Sequence, residues 1–362
     1  NGGKSWTDAG ALPDSAPGDR YPPVLAYGEK AKRVYLATVE HVPASIQVFR
    51  SNDKGHSFGP PVTASLGTFV QHYMPHIAVD NVKGAGNGNV YACWTNNSGT
   101  AYSVYVTRST NKGASFLPAG VQPVAMKGFG CQIAIGPKHE VNLFYFAGDS
   151  TDGVYGDNKI FTRRSLDQGA TFGPEIMVAD LKTMEDFGYL ALNGSGTSNS
   201  FPRVAINHSQ TGPGKMSGQI YVAYNDDPTP ANQDDDNADI FLTMSNDRGK
   251  SWSAPKWVND DKAGEQYEPS IAFDDNGNLM IGYYSRSHDM AENLFFHRRG
   301  RLGALKGKKG KKYALGRSFQ MSANTPAIFD KDLNDPDEFE GFFDQIAGRE
   351  SMFTSTFSMN MA

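Results

Sequence analysis

The chain has 362 residues, of which 39% are hydrophobic, 12% aromatic and 20% charged, and its formal net charge is −5. That balance excludes a chain-wide positive field for nucleic acid or anionic membranes, and no apolar run approaches the roughly 18 residues that span a bilayer. With 39 Gly and 20 Pro set between short apolar runs, and no long helical periodicity, the chain reads as many short strands joined by tight turns.

In chain order, one phrase recurs: Ser-x-Asp-x-Gly-x-Ser/Thr-aromatic. Its copies are Asn1-Gly-Gly-Lys-Ser-Trp6 (cut short at its front), Ser51-Asn-Asp-Lys-Gly-His-Ser-Phe58, Ser109-Thr-Asn-Lys-Gly-Ala-Ser-Phe116, Ser165-Leu-Asp-Gln-Gly-Ala-Thr-Phe172 and Ser245-Asn-Asp-Arg-Gly-Lys-Ser-Trp252, with a degenerate Gly316-Arg-Ser-Phe319. Asp and Ser side chains fold back onto backbone N–H groups, Gly takes a positive φ, and the aromatic closes the turn; the aspartates are structural. The shared glycines Gly3, Gly55, Gly113, Gly169, Gly249 and Gly316 lie 52, 58, 56, 80 and 67 residues apart, one four-stranded unit per interval.

A second phrase falls between these turns, an aromatic or Met with Pro and then an apolar alternation. It reads Tyr21-Pro-Pro-Val-Leu-Ala26, Met74-Pro-His-Ile-Ala-Val79, Phe201-Pro-Arg-Val-Ala-Ile206 and Tyr267-Glu-Pro-Ser-Ile-Ala-Phe273, with weaker forms at Gly130–Ile135 and Phe342–Ala347. These six are the expected innermost strands. Second strands follow at Val34–Val39, Val90–Trp94, Val141–Phe146, Ile220–Tyr224 and Leu279–Tyr284. The expected blades are 20–66, 70–125, 128–182, 199–262 and 265–323, and a last one, 340–362, completed by residues 1–14.

These turns and inner strands resemble the BNR or Asp-box repeats of the sialidase superfamily, over nearly the whole chain. The resemblance implies a single all-β six-bladed β-propeller, a secreted, periplasmic or cell-surface setting and a pull toward carbohydrate chemistry. Sialidases of this kind hold the substrate carboxylate with three arginines, the first in an Arg-Ile-Pro phrase, and use a Tyr activated by a Glu. Here the corresponding stretch is Arg20-Tyr-Pro-Pro23, which departs from the motif. The expected function is therefore recognition of a glycan or extracellular partner protein through the loop face, with an exo-acting sialidase-like hydrolase or lyase as the alternative.

A central funnel is expected to gather Arg20, His76, Gln132, Arg203, Glu268 and Asp344, each near the start of an inner strand, with Arg286 beside them. Tyr283 and Tyr284 with Glu268 are the nearest approach to a Tyr/Glu pair. His72 and His76, four apart on an extended strand, are expected on one side. Asp226, Asp227, Asp234, Asp235, Asp236 and Asp239 form an acidic loop with the hard oxygen donors that Ca²⁺ selects, or a solvated rim. Arg298, Arg299, Arg301, Lys306, Lys308, Lys309, Lys311 and Lys312 form a basic insertion read either as an anionic-partner site or as a solvated loop. Cys93 and Cys131 are either a bridge between adjacent blades or two buried thiols.

Overall fold

A computed structural model describes residues 10–13, 23–41, 44–65, 71–99, 101–116, 123–148, 158–183, 188–192, 197–209, 218–229, 237–261, 263–287, 297–306, 312–321, 345–349 and 352–356. Arg20, Asp344, the acidic residues Asp234 to Asp236, Lys308, Lys309 and Lys311 lie outside them, as does the expected closing segment 1–9.

The regular elements are strands. β1 (Val24–Gly28), β2 (Arg33–His41), β3 (Ala44–Ser51) and β4 (Val62–Thr63) form the first sheet in chain order, and β5 (Gln71–Val79), β6 (Val90–Asn97), β7 (Tyr102–Ser109) and β8 (Ala125–Met126) the second. The third holds β9 (Gly128–Ile135), β10 (Val141–Ala147), β11 (Lys159–Ser165) and β12 (Ile176–Asp180). A small pair, β13 (Tyr189–Ala191) and β14 (Thr197–Asn199), follows. The fourth sheet is β15 (Arg203–Ile206), β16 (Ile220–Asp226), β17 (Asp239–Ser245) and β18 (Lys256–Trp257). The fifth is β19 (Gln266–Phe273), β20 (Leu279–Ser285), β21 (His297–Lys306) and β22 (Lys312–Leu315), with β23 (Phe319–Gln320) also on β21. β24 (Gln345–Arg349) and β25 (Met352–Thr356) pair as a sixth. Antiparallel meanders of this kind are propeller blades, and the fold is an all-β six-bladed β-propeller. By internal contacts the chain divides into one unit of residues 1–145 and 162–175 and a second of 146–161 and 176–362.

The second strands are apolar without alternation for a physical reason: both faces are covered. Every residue of β16 and β20 is buried, and β6 is buried up to Asn96. In the first unit Tyr35, Ala37, Val39, Val48, Trp94 and Ile77 share one core cluster. In the second, Tyr221, Ala223, Ile240, Leu279, Ile281 and Tyr283 share another.

The repeated turn has the chemistry its sequence requires. In the first copy the Ser51 hydroxyl accepts from Gly55 N at 2.8 Å and donates to Asp53 at 2.7 Å, while Asp53 accepts from Ser57 N at 2.9 Å. Lys54 and Gly55 are both left-handed, with φ of 66° and 93°. The same bonds recur around Asn111, Asp167 and Asp247. Hydrogen bonds from the Ser57 and Thr171 hydroxyls, foremost among others, hold the Asp53 and Asp167 carboxyls well below the usual range. At Asp247 partial burial opposes the shift, and the bonds from Ser251, Ser245 and Lys250 still bring it down to about 2.

The fifth blade departs from the pattern. A residue in the first two positions of the second strand pairs with the turn serine in Val34↔Ser51, Val90↔Ser109 and Ile220↔Ser245, but in Leu279↔Gly303 the serine is a glycine. No turn forms there. The strand runs on and returns as β22 through the pairs Gly303↔Leu315 to Lys306↔Lys312, and Gly316, the marker of the degenerate phrase, lies beyond this arm. Gly303 is required: an added Cβ would lie 2.0 Å from the Tyr313 ring.

The basic insertion is thus a strand and an arm; Arg298 is buried, and Arg299 and Arg301 are half-buried. Arg298 is 1% exposed, lies 4.9 Å over the Tyr284 ring, and donates to the Glu268 carbonyl at 3.2 Å and to the Ser270 hydroxyl. Arg299 donates to Ser318 at 2.8 Å, and Arg301 to the carbonyls of Gly316 and Val258. The solvated-loop alternative does not hold for Arg298, because pairing along a strand, rather than charge density, decides which side chains are covered.

Cys93 and Cys131 form a disulfide with Cα atoms 6.3 Å apart, joining β6 to β9 within the first unit.

Candidate functional site

The inner strands carry a shared irregularity. In β5 the register shifts between Tyr73 and His76, and in β19 between Tyr267 and Ser270, each time across a residue with positive φ followed by Pro: Met74 (49°) and Glu268 (50°). Proline has no N–H for a ladder, so a bulge is where a strand can hold it. A left-handed glutamate is strained, and such strain collects at functional positions.

The bulge in β5 also corrects the histidine reading. His72 pairs with Asn96 and His76 with Cys93, three apart on β6, so the two imidazoles leave on opposite faces. His72 is buried, 5.8 Å from the Trp94 ring, and burial lowers its pKa. His76 Nδ1 accepts from Ile133 N at 3.2 Å, one residue beyond the half-buried Gln132.

In the second unit the bulge delivers Glu268 into a polar cluster. Its Oε1 accepts from Asn199 Nδ2 at 2.8 Å and from the Ser198 hydroxyl at 3.5 Å, and its Oε2 from Arg203 at 3.4 Å. Asn199 is oriented by Phe201 N, which donates to its Oδ1 at 3.2 Å, and Asn225 Nδ2 donates to Ser198 Oγ at 3.1 Å. The Arg203 side chain is 12% exposed and that of Glu268 5%, so the pair reaches solvent at one edge. Charge-assisted bonds normally close to about 2.7–2.9 Å, so the 3.4 Å contact is a long one for such a pair.

The remaining expectations separate. Arg286 is fully buried, ion-paired with the equally buried Glu265, its guanidinium 5.7 Å from the Tyr267 ring centroid. For the expected pairing of Tyr283 or Tyr284 with Glu268, burial, ahead of opposing charges, pushes Tyr283 up to about 12, away from the ionised form that a nucleophile needs, and Tyr284 lies under Arg298. Asp226 and Asp239 are opposite in register, yet each is held internally. Asp226 accepts from Lys182 N at 2.8 Å and Thr183 N at 2.8 Å; Asp239 accepts from Trp257 Nε1 and Asn259 Nδ2, both at 2.6 Å. Burial raises Asp226 to about 7 against those backbone bonds. Asp227 accepts from Thr229 N at 2.8 Å. Among the described residues no three His, Cys, Asp or Glu are placed to hold a metal ion.

Sequence reading missed Ser198, Asn199 and Glu265. The first two arrive on the β13–β14 pair inside the longest turn-to-turn interval, where no repeat phrase marks them.

No protein-family model matches the chain, and no curated protein matches it in sequence. Solved structures do share its fold. The NanB sialidase from Streptococcus pneumoniae aligns at TM-score 0.56 and 10% identity over 98% of this chain and 67% of its own. The intramolecular trans-sialidase from Ruminococcus gnavus aligns at 0.54 and 9% identity, covering 90% and 86%. An ulvan-type polysaccharide lyase aligns at 0.54 and 10% identity, covering 94% and 78%.

Proposed function

We propose that this chain is an extracellular or cell-surface Asp-box propeller module that binds a hydroxyl-rich glycan at Arg203, Glu268 and Asn199. The observation that carries the reading is the strained, nearly buried Glu268, held by Asn199 and within 3.4 Å of an arginine that keeps an exposed edge. A fixed carboxylate and a guanidinium fork accept from and donate to adjacent sugar hydroxyls. Two further facts support it. The fold is that of proteins described as a sialidase, a trans-sialidase and an ulvan lyase. The disulfide suits an oxidising compartment.

Binding without turnover is the favoured form, because the buried arginines Arg286 and Arg298 are committed to Glu265, Ser270 and a backbone carbonyl rather than to an open carboxylate pocket. The test is a glycan array beside a hydrolysis panel of sialosides and uronic-acid glycosides, for the wild type, Arg203→Ala and Glu268→Gln. Binding should fall at least about tenfold in both variants with no product formed. Robust hydrolysis abolished by Glu268→Gln would replace this reading with the glycosidase one, and binding unchanged in both variants would remove the site.

A further inference from the structure

Within the first unit, neighbouring blades are latched by a tyrosine and an arginine that lie opposite each other in register, Tyr35↔Arg50 and Tyr91↔Arg108. Each pair grips the turn of the next blade. Tyr35 OH donates to Lys112 O at 3.1 Å, and Arg108 donates to Gln168 O at 2.8 Å. The fit is close, since a Cβ on Gly113 or Gly169 would lie 2.8 or 3.0 Å from the respective tyrosine ring.

In the second unit the same register position holds Tyr221↔Met244, and the next blade has the β21–β22 arm where the turn would be. Both halves of the latch have therefore changed together. Between them lies a cavity of about 570 Å³, within the range of about 300–1,000 Å³ that small-molecule sites occupy. Tyr221 lines it. Its ring packs 5.1 Å from Tyr313 and 5.3 Å from Phe273, yet its hydroxyl, on a residue 1% exposed, has no hydrogen-bond partner among the described residues. A buried phenol without a partner is costly unless something from outside supplies one.

The rest of the lining indicates what that is. Trp257 is 45% exposed and its plane is held by the 2.6 Å bond from its indole N–H to Asp239, so it offers a fixed aromatic face to solvent. Lys256 beside it is exposed and has no ion-pair partner among the described residues, and Arg301 closes the other wall. The nearby carboxylates are occupied: Asp239 by Trp257 and Asn259, Asp260 by Ser318 N at 2.9 Å.

We propose that this inter-blade cavity is a second glycan site, selective for an acidic sugar. The ring stacks on Trp257, a hydroxyl of the ligand completes Tyr221 OH, and its carboxylate or sulfate pairs with Lys256. The ligand class rests on the function proposed above, but the site shares no residue with Arg203 and Glu268.

Isothermal titration of the whole chain separates the two. The probes are a hyaluronan hexasaccharide, a chondroitin sulfate hexasaccharide and neutral cellohexaose, so that carboxylate, sulfate and uncharged sugars are compared. Acidic probes should bind tighter than the neutral one. Trp257→Ala should weaken them at least about tenfold, and Tyr221→Phe and Lys256→Gln by about three- to tenfold each, while all three variants keep wild-type binding of the glycan that the Arg203 site takes from the array. Tyr221→Phe and Lys256→Gln remove single polar groups and keep the test valid if Trp257→Ala misfolds. Acidic-probe binding that survives all three substitutions, or that falls only in Arg203→Ala, would overturn this site and leave the Arg203 site standing. No binding of any probe by the wild type would overturn it as well, the Arg203 site being judged on its own glycan array.

Discussion

Two arginines read from the sequence as equivalents have opposite roles. Arg286 is buried with Glu265, and removing one partner of such a pair leaves an uncompensated charge. Arg286→Ala should therefore lower stability by about 3–5 kcal/mol in urea unfolding, whereas Arg203→Ala should cost far less stability and act on binding. Equal losses of stability would contradict the distinction. Asp226 gives a pH test. Its folded pKa of about 7 lies above the unfolded carboxylate value of about 3.9, so the native state holds the proton longer and stability falls as pH rises through that window. Asp226→Asn, which keeps an acceptor for Lys182 N and Thr183 N, should flatten the melting temperature between pH 5 and pH 7 relative to wild type. The same slope in both proteins would assign it elsewhere.

At the scale of the element, the turns were legible because everything they need is local: Ser51, Asp53, Gly55 and Ser57 lie within seven residues and bond to one another. Asp167→Ala should cost about 0.5–1 kcal/mol, modest because the turn is exposed, and leave glycan binding alone. Lost binding at unchanged stability would make that turn functional. Bulges were less legible. The Pro in Met74-Pro75 and Glu268-Pro269 signalled one, but ideal alternation was assumed for His72 and His76, and one extra residue reversed it. The β21–β22 arm was hidden by its composition, since Gly and Lys between Arg301 and Lys312 read as a solvated loop until the pairing of Gly303 with Leu315 shows a hairpin.

For the whole molecule, the repeat spacing together with the resemblance of its turns to Asp-box repeats carried the propeller, because each blade repeats the same local problem of burying a second strand on both faces. The candidate site was barely legible, because Arg203, Glu268 and Asn199 come from three strands with no shared motif, and only the inner-strand phrase pointed to the first two. The disulfide adds a constraint that sequence left open. By chain entropy, a bridge between residues 38 apart is worth about 3–4 kcal/mol, so reduction should lower the melting temperature markedly, and no shift would mean the thiols are not bridged in solution. The central claim is that a sugar binds at Arg203 and Glu268. A crystal structure of the chain with the tightest glycan from the array tests it most directly: sugar hydroxyls should lie within hydrogen-bonding distance of Arg203 and Glu268, whereas full occupancy elsewhere with that pair untouched would contradict it.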